Sequence, residues 1–194
     1  MLHAWTGVVL AGGRARRFGG CDKASLLVEG RRIIERQVDT FLALTPHVLI
    51  VANDASRYRD LGVPIVADVV AGVGPLGGLV TALECAPTEQ VIVVACDMPF
   101  VDGTFLTHLA REGRDAEAAV PRTRDGWHPL CASYSRTCSG RFRRRIAEGH
   151  LGVIEALAEV SVREITPDEL AGFDRAGRLL TNLNSEDDYR RLFT

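Results

Sequence analysis

The sequence predicts an α/β fold of three layers, with helices on both faces of a mainly parallel central sheet. Three observations carry that prediction. Short β-branched runs alternate with helical patterns through the first hundred residues, and parallel strands need crossover connections that cover both sheet faces. The strand-like runs are apolar almost throughout, as strands buried on both sides are. The first of them breaks off into Ala11-Gly12-Gly13, as a buried strand feeding a phosphate loop does. The chain has 194 residues, 46% hydrophobic and 25% charged, which suits one domain with a sizeable core.

The elements follow in order. Thr6 to Leu10 is the first strand, and a basic, glycine-rich stretch runs from Gly12 to Lys23. Ile33 to Leu44 is an amphipathic helix, because Ile34, Val38 and Phe41 recur at helical spacing. His47 to Ala52 is a second strand and Val63 to Asp68 a short third. Leu76 to Cys85 sets Leu76, Leu79, Val80 and Leu83 on one helical face, and Val91 to Cys96 is the most apolar strand. Beyond Phe100 the pattern loosens. Ala118 to Pro121 and His128 to Tyr134 are candidate strands, and Arg141 to Arg145 opens a basic helix. Thr166-Pro-Asp-Glu169 has the N-cap, N1 and N3 residues of a helix start, and Ser185-Glu-Asp-Asp188 offers a similar cap to a last helix ending near Phe193.

Composition excludes several classes of function. Twenty-three Lys and Arg against twenty-five Asp and Glu leave a net charge of −2, so no global positive field draws the protein to nucleic acid or an anionic membrane. Anionic ligands must be held locally. No window reaches the ~18 apolar residues of a membrane span, and the start lacks a basic segment ahead of a long apolar one. A cytoplasmic location is expected. The five cysteines are odd in number and form no C-x-x-C pair, which predicts neither a disulfide framework nor a zinc site.

The strongest chemical feature is Leu10-Ala-Gly-Gly-Arg-Ala-Arg-Arg-Phe-Gly-Gly-Cys-Asp-Lys23. Gly12, Gly13, Gly19 and Gly20 let the backbone approach a ligand, and backbone N–H groups turned into such a loop make an anion nest. Arg14, Arg16, Arg17 and Lys23 add charge. Lys23 is followed by Ala24, so this is not a Walker A loop; the alternative to a nucleotide phosphate site is a solvated basic turn. Asp97 stands at the carboxyl end of the Val91 strand, where ligands collect in open α/β sheets. A carboxylate there suits Mg²⁺, which takes one or two carboxylates and completes its shell with substrate phosphates; capping a turn is the other option. Asp68, closing the neighbouring strand, is a second candidate.

Gly72-Val-Gly-Pro-Leu-Gly77 matches the dinucleotide fingerprint G-x-G-x-x-G, with Asp97 twenty positions after Gly77. Pro75 and the spacer Val69-Val70-Ala71 argue against it. Gly77 and Gly78 then either serve close approach of a substrate or a strand to a helix N-terminus or make a purely structural turn. In the second half, His128 either donates to an acceptor phosphate or satisfies a turn. Asn182 and Asn184 sit one residue apart in an extended segment and offer paired amides, or else cap the last helix. Arg141, Arg143, Arg144 and Arg145 either meet an anionic acceptor or form a solvated face.

Taken together, Leu10-Ala-Gly-Gly13, Arg17-Phe-Gly-Gly20, Asp22-Lys23, Gly74-Pro-Leu-Gly77, Cys96-Asp-Met-Pro99, His128-Pro129 and Asn182-Leu-Asn-Ser185 resemble the molybdenum cofactor guanylyltransferases over nearly the whole chain. The L-A-G-G-x-x-x-R-x-G-x-x-x-K start is shared by many nucleotidyltransferases of the same Rossmann-like fold; the H-P and N-x-N-[ST] elements narrow it. The resemblance implies transfer of GMP from GTP to the phosphate of molybdopterin, or its molybdenum-loaded form, with Mg²⁺ and release of pyrophosphate. It implies one nucleotidyltransferase domain, 1–194, with a nucleotide-binding half, 1–100, and an acceptor-binding half, 101–194. Carried over, Leu10, Ala11 and Gly12 form the guanine-side loop, Arg17 and Lys23 meet the triphosphate, Asp68 contacts the nucleotide and Asp97 holds Mg²⁺. Asn53 takes the place of the family's base-contacting asparagine with a shift. Expected partners are GTP, molybdopterin and, transiently, other cofactor-biosynthesis proteins or acceptor enzymes. A CTP or sugar-phosphate transferase, a nicotinamide-binding oxidoreductase built on Gly72 to Gly77, and a non-catalytic nucleotide-binding protein are the competing functions.

Overall fold

A computed structural model describes residues 4–12, 26–28, 30–174, 177–183 and 188–190. Its first strand, β1 (Trp5–Leu10), is buried along its whole length. β2 (Leu27–Val28) and β3 (Arg31–Arg32) make a small antiparallel ribbon ahead of α1 (Ile33–Leu42). That helix stops two residues short of expectation because the Leu44 and Thr45 amides both turn back to the Phe41 carbonyl. β4 (Val48–Val51) and β5 (Ile65–Val66) follow. α2 (Pro75–Cys85) starts with proline at N1 after Gly74, whose φ of 72° favours glycine, and leads to β6 (Gln90–Ala95).

The second half holds more regular structure than its pattern predicts. α3 (Gly103–Glu112) is capped by Asp102, whose carboxylate accepts from the Phe105 amide at 2.8 Å. β7 (Ala118–Thr123) pairs with the short β8 (Gly126–Trp127). The strand expected over His128 to Tyr134 begins only at Cys131, as β9 (Cys131–Ser135), because Pro129 has no N–H to give a ladder. α4 (Ser139–Ala147) is the basic helix, and α5 (Val153–Ala156) and β10 (Val162–Ile165) are elements the pattern does not announce. α6 (Pro167–Ala171) carries the predicted capping box: the Thr166 hydroxyl accepts from the Glu169 amide, and the Glu169 carboxylate accepts from the Thr166 amide at 2.9 Å. Residues 188–190 are helical; the Ser185 cap and the expected helix end lie outside the described residues.

The main sheet runs β10-β7-β9-β6-β1-β4-β5, with β8 on the side of β7. β5, β4, β1 and β6 are parallel neighbours, and β10 is parallel to β7. β9 lies antiparallel to both β6 and β7, so it alone reverses direction along the main path. Successive strand residues point to opposite faces, which divides the core in two. Val9, Ile50, Ile92 and Val94 meet α1 and α3 through Ile34, Val38, Phe41, Phe105 and Leu109. Val8, Leu49, Val91 and Val93 meet α2 and α4 through Leu76, Leu79, Leu83 and Phe142. The two helical layers around a mainly parallel sheet are the predicted α/β architecture.

Candidate active site

Because β1, β4, β5 and β6 are parallel, the residues that leave them emerge along one edge of the sheet. The chain moves outward from β1 to β4 and β5, then returns to the other side of β1 as β6. Ligands settle in the crevice at such a switch point. A cavity of about 330 Å³ opens there. The reversed β9 brings its amino end to the same edge, so the segment His128 to Leu130 forms a further wall.

Leu10, Ala11 and Gly12 border the cavity as β1 ends. The Ala11 amide donates to the Val51 carbonyl at 2.9 Å, and the Leu10 carbonyl accepts from the Cys96 amide at 3.1 Å. These bonds fasten the loop to β4 on one side and to the β6 turn on the other. Asp97 sits in that turn and borders the cavity. The buried Gln37 of α1 donates from Nε2 to the Ala95 carbonyl at 2.9 Å and to the Met98 carbonyl at 3.0 Å. From the other side, the Asp97 carbonyl accepts from the Leu183 amide at 2.8 Å. The turn that presents Asp97 is therefore held at both ends, and neither clamp is signalled by the local sequence.

Asp68 follows β5 and also borders the cavity. Its Oδ2 accepts from Asn53 Nδ2 at 2.8 Å, and its amide donates to Asn53 Oδ1 at 3.0 Å. Its Oδ1 is buried without a hydrogen-bond partner. Cβ atoms placed on Gly12 and Gly78 would stand 3.8 Å from its Oδ2 and 3.7 Å from its Oδ1, at ordinary van der Waals distance, so both glycines lie beside this carboxylate. Two expected site residues are placed differently. Asn53 does not border the cavity; its amide is engaged by Asp68. Gly77 does not border it either: a Cβ there meets Val73 Cγ2 at 2.5 Å and the Val70 carbonyl at 3.0 Å, so this glycine packs the loop onto α2, and Gly78 is the one at the wall.

The dinucleotide reading of Gly72 to Gly77 loses its phosphate site here. Pro75 has no N–H, and the Gly77 and Gly78 amides already donate to the Gly74 carbonyl at 3.0 and 3.4 Å. On the opposite wall, His128 is fixed through its backbone: its amide donates to the Pro121 carbonyl at 2.9 Å and its carbonyl accepts from the Cys131 amide at 3.1 Å. The Tyr134 hydroxyl donates to the Pro129 carbonyl at 2.8 Å. Burial lowers the His128 pKa, with Asp125 opposing, so the ring is neutral at pH 7. Asn182 completes the wall, with Trp127, Val153 and Cys131 beside it; nothing in their spacing signals the last two. Burial pushes the Cys131 thiol up, which disfavours its thiolate. Gly13, Arg17, Lys23 and Asn184 lie outside the described residues.

The basic helix α4 is not an anion site. Arg141 pairs with Glu117, Arg143 with Glu84 at 2.7 Å, and Arg144 and Arg145 with Glu159 at 3.3 and 2.8 Å. For a metal, the donors at the cavity are the carboxylates of Asp97 and Asp68. Among the described residues no three His, Cys, Asp or Glu side chains gather closely enough to cage an ion. Two hard oxygen donors, one with an orphaned buried oxygen, fit a divalent cation such as magnesium that takes its other ligands from phosphates. Among the described residues no helix is long and apolar enough to cross a membrane.

The chain is similar to known proteins over nearly its whole length. A family model for the MobA-like NTP transferase domain matches residues 7–162. The molybdenum cofactor guanylyltransferase of Desulfosudis oleivorans is 30% identical over 98% of this chain and 95% of its own. A probable molybdenum cofactor guanylyltransferase of Chloroflexus aggregans is 33% identical over 95% of this chain and 91% of its own. The crystal structure of molybdopterin-guanine dinucleotide biosynthesis protein A from Archaeoglobus fulgidus superposes with a TM-score of 0.83 at 27% identity, covering 97% of this chain and 96% of the other.

Proposed function

The chain belongs to the MobA-like NTP transferase family, and from that membership we propose that it transfers GMP from GTP to the terminal phosphate of molybdopterin or its molybdenum-loaded form. The products are the guanine dinucleotide cofactor and pyrophosphate. The observation that carries the reading is the cavity at the sheet's switch point, which gathers Leu10, Ala11, Gly12, Asp68 and Asp97 on one side and His128 and Asn182 on the other. The first group binds the nucleotide, the second the acceptor, within one domain of two halves.

The reaction needs no covalent enzyme intermediate. The acceptor phosphate is already an oxyanion; its oxygen bonds to the α-phosphorus as the bond to the bridging oxygen breaks, and that electron pair leaves with pyrophosphate. Catalysis then reduces to alignment and charge stabilisation. When bound, Mg²⁺ neutralises phosphate oxygens along this path. Asp97 holds that charge on a turn clamped by Gln37 and Leu183. Asp68, oriented by Asn53, borders the same cavity. Arg17 and Lys23 screen the triphosphate, and Gly13 extends the loop amides. His128 and Asn182, with Asn184, orient the acceptor.

Thermal unfolding tests the reading. With Mg²⁺ present, GTP at ~100 times its Kd stabilises the native state by ~2.7 kcal/mol, and CTP, ATP and NAD shift the midpoint less. Asp97→Ala removes the GTP shift, leaves the ligand-free midpoint in place and abolishes pyrophosphate release with molybdopterin. A midpoint moved by CTP but not GTP refutes the guanylyl assignment, and wild-type turnover in Asp97→Ala refutes the metal site.

A further inference from the structure

The sheet edge that carries His128 also builds a support for its imidazole. Thr123 is the last residue of β7 and lies opposite Gly126 of β8. Its Oγ1 is 2.9 Å from His128 Nε2, and the same oxygen accepts from the Asp125 amide at 3.2 Å. One lone pair is thus taken by Asp125, which leaves the hydroxyl hydrogen to be placed. If Nε2 carried the ring proton, that hydrogen would have no acceptor among the described residues. If Thr123 donates to Nε2, the hydroxyl and Nε2 are both satisfied, and the single proton of the neutral ring sits on Nδ1, where a ligand can accept it. Nδ1 itself has no partner among the described residues, is not a buried orphan, and belongs to a residue at the cavity wall.

We propose that Thr123 is a positioning residue that holds His128 in the tautomer with its proton on Nδ1, so that the ring donates to an anionic oxygen of the acceptor substrate. The inference rests on the guanylyltransferase reading for the identity of that acceptor; the tautomer does not depend on it. A threonine suits the task because its β-branched χ1 is stiff, and the His128 backbone is already fixed to Pro121 and Cys131. Ring and hydroxyl therefore meet without ordering either on binding.

The test is nitrogen-15 spectroscopy of the histidine rings in the full-length protein, with the His128 signals identified by their loss in His128→Gln. The wild type shows a protonated Nδ1 and an unprotonated, hydrogen-bonded Nε2. Thr123→Val moves the proton toward Nε2, and Thr123→Ser restores the wild-type pattern. In steady-state kinetics Thr123→Val raises KM for molybdopterin about tenfold, equivalent to ~1.4 kcal/mol, with KM for GTP unchanged and Thr123→Ser near wild type. A wild-type ring protonated on Nε2, a tautomer indifferent to the valine, or a shifted tautomer with unchanged acceptor KM each overturns the proposal. If the wild type transfers no GMP at all, the function is wrong, while the spectra still decide what Thr123 does to the ring.

Discussion

Replacing Gln37 with leucine tests whether the turn carrying Asp97 is held from beneath by α1. The side chain is only 5% exposed, and its amide nitrogen supplies both hydrogen bonds to the Ala95 and Met98 carbonyls. Leucine has a similar volume and no donor. Each lost bond is worth ~1 kcal/mol net. The Ala95 carbonyl keeps the Met98 amide at 3.2 Å, but the Met98 carbonyl loses the amide donor. Against this, Gln37 Oε1 is itself buried without a partner, so removing it returns up to ~1 kcal/mol. The balance is a destabilisation of ~1–2 kcal/mol, or roughly 2–8 °C in midpoint for a chain of this size. The activity loss is larger, because a loosened turn misplaces the carboxylate: GMP transfer falls more than tenfold at limiting Mg²⁺ and recovers in part when Mg²⁺ is raised. Urea unfolding and a Mg²⁺ titration of pyrophosphate release measure the two effects. A variant that keeps wild-type Mg²⁺ dependence while losing the expected stability shows that the clamp is structural only, and the positioning argument fails.

Other consequences concern the frame. Gly7→Ala puts a Cβ 2.3 Å from Cδ1 of the Phe41 ring, where α1 lies directly on β1; overpacking of this kind costs ~1–3 kcal/mol, read as a lowered urea midpoint, and an unchanged midpoint shows that α1 can withdraw freely. Glu169 is held at a pKa of about 2 instead of 4.5, chiefly by the Arg163 guanidinium and then by the Thr166 amide. Its pKa is depressed in the folded state, so the stability it contributes is fully present above pH 4.5 and is lost as pH falls toward 2. The urea-midpoint gap between wild type and Glu169→Gln is therefore widest near neutrality and closes below pH 4; a gap independent of pH contradicts the ion pair.

The first half of the fold was legible because its strands lie buried between two helical layers, and such burial leaves continuous apolar runs and clean helical spacing. The second half was less so, for identifiable reasons. α3 begins at an Asp102 cap and buries Phe105, Leu106 and Leu109, a signal that a search for caps alone would have found. β10 is an edge strand whose residues are only partly buried until Ile165, and a half-exposed strand carrying Arg163 and Glu164 has no apolar run to read. The site divides along the same line. Leu10, Asp68 and Asp97 could be picked out because each stands at the end of a recognisable strand, and strand ends at a switch point face a ligand. What fixes their geometry is long-range: Gln37 reaches the Asp97 turn from 60 positions upstream, between Ala95 and Met98, and Asn53 grips Asp68 across 15. Asn53 shows how a long-range partner gives a residue a further task. The family resemblance implies a base contact there, yet the neighbouring strand delivers Asp68 to its amide, and that hydrogen-bonded pair makes it a support for the carboxylate at the wall.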